Sequence, residues 1–193
     1  MTASAPHRSP DGPEPDGARL LATARAAIAN ELGRSTPMPH PEPAERAPGA
    51  SFVTLTIDGR LRGCIGTLEA YRPLHDDVEE NARAAAFADP RFPPLTAAEL
   101  DRIHIEVSRL GPPEPIDYDG TEAGAIAALR PGVDGVILRR GRHRATFLPQ
   151  VWEQLPEPRE FLAHLRRKAG IVEPGWPDGI RLERYGVRSW HET

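Results

Sequence analysis

The chain is 193 residues long and carries 24 Lys plus Arg against 28 Asp plus Glu, a formal charge of −4. That length suits one domain, or one domain built as two lobes, and buries roughly 70% of the unfolded surface without needing disulfides or a structural metal. The single cysteine, Cys64, excludes an intramolecular disulfide and any Cys-rich zinc or iron–sulfur site held by this chain alone.

The negative balance supplies no global field for nucleic acid, and aromatic residues are only 6% of the chain, too few for stacking platforms. No apolar run approaches the ~18 residues that span a bilayer. The start, MTASAPHRSPDGPEPDG, lacks the apolar region of a secretory signal. The expectation is a soluble, cytoplasmic, reduced protein with no membrane contact.

Residues 1–16 are rich in Pro, Gly and charge and lack periodicity, which predicts a disordered tail; residues 17–193 are expected to form a single domain. Leu20, Leu21, Ala24, Ala27, Ile28 and Leu32 follow a helical spacing that Gly33 ends. A Pro-rich stretch near 35–50 predicts a surface loop. Ser51–Leu68 then reads as a β-hairpin turned at Asp58-Gly59. On its return strand Leu61, Gly63 and Ile65 share one face, expected to join the core with Val53, Leu55 and Ile57. Arg62, Cys64 and Gly66 share the other.

A helix is predicted over Leu74–Ala88, with Asp76 and Asp77 in its first turn, Glu79 and Arg83 paired on its surface, and Leu74, Val78, Ala82, Ala85 and Ala86 inward. DPRFPP at 89–94 stops it, and Thr96 with Glu99 forms a capping box for a short helix. Residues 103–110 alternate as a strand, GPPEP at 111–115 breaks it, and 121–130 reads as an Ala-rich helix. A second hairpin is predicted at Val136–Arg140 and Arg144–Leu148, then short and longer helices near Gln150–Gln154 and Glu160–Ala169. A strand at Ile180–Trp190, broken at Gly186, ends the chain. Hairpin-joined strands predict an α+β fold with a largely antiparallel or mixed sheet and flanking helices.

The stretch LRGCIGTLEAYRPL at 61–74, followed by DPRFPPLT at 89–96, resembles the AMMECR-type domain family. GVDGVILRRG at 132–141, ATFLPQVWEQLP at 145–156 and FLAHLRRKAG at 161–170 resemble it too. The resemblance implies an α+β fold of two unequal lobes. For a prokaryotic member it also implies company with a Memo-like protein and a radical S-adenosylmethionine enzyme, as system protein A of that AmmeMemoRadiSam set. It implies no established activity.

Cys64 reads in two ways. It is either a packed small hydrophobe or a thiolate nucleophile or redox group, which needs a positive neighbour and some exposure. Arg62, two residues earlier on the same face, supplies that charge, while Gly63 and Gly66 leave backbone space for a ligand. In DPRFPP the prolines hold Asp89, Arg91 and Phe92 rigidly. The sequence thus predicts a cleft lined by Arg62, Cys64 and Arg91, with Gly63, Gly66 and Asp89 beside them, holding a small anionic ligand. The alternative is a non-catalytic module docking a protein through LRGCIG and DPRFPP, with Phe92 and Trp152 as aromatic anchors.

Other patterns weigh less. His104 and Glu106 share a strand face expected to be solvated, HExxH is absent, and His75, Asp76 and Asp77 read as a helix-start cluster, so no metal is expected. No GxGxxG or GxxxxGK[ST] occurs, and no cofactor is expected. The basic run at Arg139, Arg140, Arg142, His143 and Arg144 reads as a solvated hairpin rather than a nucleic-acid surface. Asp134 is a possible cleft residue.

Overall fold

The structure is a computed structural model that describes residues 14–192, so the N-terminal residues of the expected tail lie outside the described residues. Among the described residues five α-helices and eight strands occur in the order α1 (Gly17–Glu31), α2 (Pro43–Arg46), β1 (Ala50–Ile57), β2 (Arg60–Gly66), α3 (Leu74–Phe87), β3 (Ile103–Leu110), β4 (Glu114–Pro115), α4 (Glu122–Ala128), β5 (Gly135–Arg140), β6 (His143–Phe147), α5 (Pro158–Lys168), β7 (Arg181–Tyr185) and β8 (Val187–His191). The strands form two four-stranded sheets, ordered β2-β1-β3-β8 and β4-β7-β5-β6. The fold is α+β, and the chain divides into two compact units. The first runs to Arg109 and takes in the stretch from Ser189; the second is Leu110–Arg188.

In the first unit α1 starts where Asp16 accepts the Ala18 N–H at 3.0 Å and stops before Gly33, whose φ of 78° only glycine adopts freely. The expected apolar stripe is buried: Leu20, Ala24, Ala27 and Ile28 are fully covered. They meet Val53 and Leu55 of β1 and Leu74, Val78, Ala82 and Ala85 of α3 in one core. Each buried Leu, Ile or Val contributes about 1.5–3 kcal/mol. The alanines of α3 let its backbone lie close to β2, where a Cβ on Gly63 would stand 2.1 Å from the Ala85 carbonyl oxygen. The Pro-rich segment contains one helical turn, α2, where a loop alone is expected. Its capping box between Glu42 and Glu45 nucleates the turn.

The hairpin turns at Asp58 and Gly59, both with positive φ. Its register corrects the sequence reading. A break between Leu55 and Thr56 leaves Gly63 opposite Leu55 but Leu61 opposite Thr56, so Arg62 is the extra residue of a bulge. Leu61 is thereby turned out and is 44% exposed, instead of joining the core. Residues 97–102 form turns, not the short helix expected after Thr96. Ile103 already starts β3, so only one turn fits before the strand.

In the second unit α5 buries Phe161, Leu162 and Leu165 against Val136 and Leu138 of β5 and Leu182 of β7. Arg166, Arg167 and Lys168 occupy its last turn, and Gly170 follows with a φ of 75°. GPPEP is not purely a breaker, since Glu114 and Pro115 pair with Arg184 and Glu183 at the sheet edge. The predicted short helix is a 3-10 segment, Pro149–Glu153. Among the described residues no helix is long and apolar enough to cross a membrane.

Candidate functional site

β2 is an edge strand, and an edge strand exposes unpaired N–H and C=O groups. The DPRF turn occupies that edge at Cys64. Asp89 Oδ2 accepts the Cys64 N–H at 2.9 Å, and Arg91 Nη2 donates to the Cys64 carbonyl at 3.1 Å. Arg91 also grips Asp89 through Nε at 2.9 Å and Nη2 at 2.7 Å, and the Arg91 N–H donates to Asp89 Oδ1 at 3.0 Å. Asp89 is 4% exposed. Its hydrogen bonds from the Arg91 side chain outweigh burial and hold its carboxyl well below the usual carboxylate range. Ionised Asp89 therefore acts as a clasp between the strand and the turn.

Arg62 lies at the bulge, and Glu99 receives it through two oxygens, Nε to Oε1 at 2.8 Å and Nη2 to Oε2 at 3.2 Å. The Arg62 side chain is 13% exposed. Glu99 also accepts from the Thr96 N–H at 2.9 Å and hydroxyl at 2.8 Å, so the expected capping box survives without its helix. The Arg62 guanidinium, first among these donors, holds Glu99 down to about 2.

The Cys64 side chain is half-buried and points to the face shared with Thr54, whose hydroxyl donates to Sγ at 3.2 Å. The two glycines do not open space for a ligand. Ala85 backbone fills the space at Gly63, and the Phe52 ring fills that at Gly66, where a Cβ would lie 2.2 Å from a ring carbon. Thus Arg62, Gly63, Cys64, Gly66, Asp89 and Arg91 do come together, but both guanidinium groups are already matched by carboxylates. Phe92 is half-buried, with the Arg91 guanidinium carbon 5.6 Å from its ring centroid. Trp152 is not an available anchor: it is 3% exposed and stacked on Phe161 at 3.8 Å.

Other sequence candidates are structural. Asp134 is 1% exposed and paired with Arg130 at 2.7 Å and Arg184 at 3.4 Å, so it lines no cleft. Arg139 pairs with Glu183 at 3.0 Å, and Arg140 pairs with Glu173. His104 is exposed, as expected.

One polar cluster escaped the sequence reading. Asp77, fully buried, accepts from the Ser51 N–H at 2.8 Å, the Ser51 hydroxyl at 2.7 Å, Asn81 Nδ2 at 2.9 Å and Arg72 Nε at 2.9 Å. Asn81 also donates to Thr67 Oγ1 at 3.1 Å. The network ties α3 and β1 to the loop after β2, and Arg72 pins that loop. The available signal was an i,i+4 polar pair, Asp77 and Asn81, beside an otherwise apolar stripe.

That loop ends a segment with unusual surface chemistry. Among the described residues the exposed large apolar side chains are Leu61, Leu68, Tyr71, Val133 and Val172, and three of these five fall within residues 61–71. Tyr71 is 67% exposed, with the Arg72 guanidinium carbon 5.0 Å from its ring centroid.

Comparison with known proteins gives the chain a family. The family model described as AMMECR1 matches residues 21–190. A protein of Methanothermobacter thermautotrophicus is 40% identical over 182 residues, covering 92% of this chain and 94% of its own. Protein MJ0810 of Methanocaldococcus jannaschii is 38% identical over 184 residues, covering 92% of this chain and 90% of its own. The crystal structure of the uncharacterised protein PH0010 from Pyrococcus horikoshii aligns with a TM-score of 0.77 at 30% identity, covering 92% of this chain and 91% of that one.

Proposed function

The chain belongs to the AMMECR1 family, and from that premise we propose that it is a non-catalytic docking module that binds a protein partner along residues 61–71 and the Asp89–Pro94 turn. The observation that carries this reading is the exposure of Leu61, Leu68 and Tyr71 on one short segment. Leu61 and Leu68 bracket an extended run, so they stand roughly 20 Å apart. That span exceeds a small ligand and suits a protein footprint of about 800 Å².

The clasp decides the mode of docking. A bare edge strand recruits a partner strand, but at Cys64 both the N–H and the C=O are taken by Asp89 and Arg91. The partner is therefore met by side chains rather than by strand addition. The partners to try are those implied by the resemblance, a Memo-like protein and a radical S-adenosylmethionine enzyme, with this chain as system protein A. Size-exclusion chromatography with those two proteins from the same genome tests the reading. Co-elution that Tyr71→Ser with Leu61→Ser abolishes is expected; co-elution unchanged by both substitutions contradicts it.

One observation favours a second reading. The Thr54 hydroxyl donates to Cys64 Sγ at 3.2 Å and so orients a sulfur that is only half-buried. Cys64 is then a nucleophile or redox group, with Arg62 and Arg91 holding an anionic substrate. It ranks second because Arg62 would first have to release Glu99, and Arg91 Asp89. Loss of activity in the reconstituted system on Cys64→Ser, with the complex intact, would favour it.

A further inference from the structure

The turn after α3 carries three exposed prolines, Pro90, Pro93 and Pro94, and the last two are consecutive. A proline ring holds its own φ at about −65°, and a following proline pushes the residue before it into extended backbone. Phe92 and Pro93 both precede a proline, so Phe92-Pro93-Pro94 is confined to a short polyproline II stretch. Residues 93–96 accordingly belong to no helix or strand. Pro93 and Pro94 also lack an N–H, so this stretch cannot donate to a sheet.

The fold fixes both ends of the stretch. Before it, the Phe92 N–H donates to the Asp89 carbonyl at 3.1 Å, and the Asp89 carboxylate is clasped to the Cys64 N–H. After it, Leu95 is 3% exposed and donates its N–H to the Ala86 carbonyl of α3 at 2.8 Å. Arg62 Nη2 reaches the Pro94 carbonyl at 3.4 Å. Stiff residues held between two anchors have little freedom left to lose on binding, which is the condition of a preorganised ligand.

The charge that this turn shows to the outside is positive. Asp89 is buried, whereas the Arg91 side chain is 54% exposed and its Nη1 takes no part in the bonds to Asp89 and Cys64. The Arg91 guanidinium carbon lies 5.6 Å from the Phe92 ring centroid, so a cation, an aromatic ring and two proline rings follow one another along the turn. Resting on the docking reading above, we propose that Phe92-Pro93-Pro94 is a preformed polyproline II ridge, and that the partner receives it in an aromatic-lined groove with a carboxylate facing Arg91. Flat aromatic side chains are what proline rings pack against when such segments are recognised, and a carboxylate complements the outward Nη1. The ridge is continuous with the rest of the docking surface through the bond from Arg91 to the Cys64 carbonyl.

Isothermal titration of the full-length chain with the Memo-like protein, and separately with the radical S-adenosylmethionine enzyme, tests it. Pro93→Ala with Pro94→Ala is expected to weaken the complex about tenfold or more, as loss of an interface hot spot does, with thermal melts confirming the fold. Each single substitution is expected to weaken it in the same direction. Pro90→Ala, in the turn ahead of the ridge, is expected to leave affinity unchanged, and affinity of the parent is expected to fall as salt is raised. Parent-like affinity in the double proline variant overturns the ridge; if Leu61→Ser with Tyr71→Ser still abolishes that binding, the docking reading stands without it. Binding indifferent to salt overturns the carboxylate in the groove. No binding of either protein to the parent chain overturns the ridge and the docking reading together.

Discussion

Asp89 and Cys64 are joined across the open edge of the first sheet: a carboxylate oxygen of Asp89, 4% exposed, accepts the backbone N–H of Cys64 at 2.9 Å. The same carboxylate is held by Arg91, so one side chain closes both the strand edge and the turn. Asp89→Ala strands the N–H and unpairs the guanidinium, and it is expected to cost about 3 kcal/mol, the upper range for a hydrogen bond to a charged group. Asp89→Asn, which keeps an acceptor, costs less. Urea denaturation measures both, and a change under about 0.5 kcal/mol for the alanine variant would contradict the clasp.

The acid response follows from the same groups. Arg91 holds Asp89 below the usual carboxylate range, and Arg62 holds Glu99 near 2. In the unfolded chain these groups titrate near 3.9 and 4.3. Depressed folded values mean stability that is fully present above about pH 5 and lost as the pH falls through 4 towards 2. Denaturation midpoints measured between pH 7 and pH 3 are expected to drop in the parent protein. In the double variant Asp89→Asn with Glu99→Gln the drop should be shallower. An equally steep drop would place the acid-sensitive groups elsewhere.

Gly63 and Gly66 should respond differently to the same change. At Gly63 a new Cβ meets the Ala85 carbonyl oxygen, backbone that cannot swing aside; at Gly66 it meets the Phe52 ring, which can move. Gly63→Ala is expected to cost about 3 kcal/mol or to prevent folding, and Gly66→Ala roughly half as much. Thermal melts of the two variants rank them, and an equal or reversed order would show that α3 does not lie against β2 as described.

Much of this architecture was legible beforehand. The stripe from Leu20 to Leu32, the alternation from Val53 to Ile57 and the Phe161, Leu162 and Leu165 face are local periodicities, and the structure packs them into its cores, with Leu21, Leu32 and Ile57 only partly buried. The bulge at Arg62 was not legible, because neither the Asp58-Gly59 turn nor the alternation of residues 60–66 marks where an extra residue falls. Its consequence reached the site: Leu61 turned outward, and Arg62 found Glu99, 37 residues away, a partner that no local pattern announces. Cys64, Asp89 and Arg91 are in contact, while Arg62, two residues from Cys64, is held by Glu99. What each side chain does there depends on which carboxylate faces which guanidinium, and that is a property of tertiary contacts alone.

The docking surface is tested most directly by titrating the Memo-like protein, and separately the radical S-adenosylmethionine enzyme, into this chain and following heat of binding. Substitution of Leu61, Leu68 and Tyr71 by serine is expected to weaken the complex at least about a hundredfold, as removal of two or more interface hot spots does. Serine at Val133 and Val172, 56% and 87% exposed but outside the segment, should leave affinity unchanged. Tight binding indifferent to the first set, or lost with the second, would contradict the account.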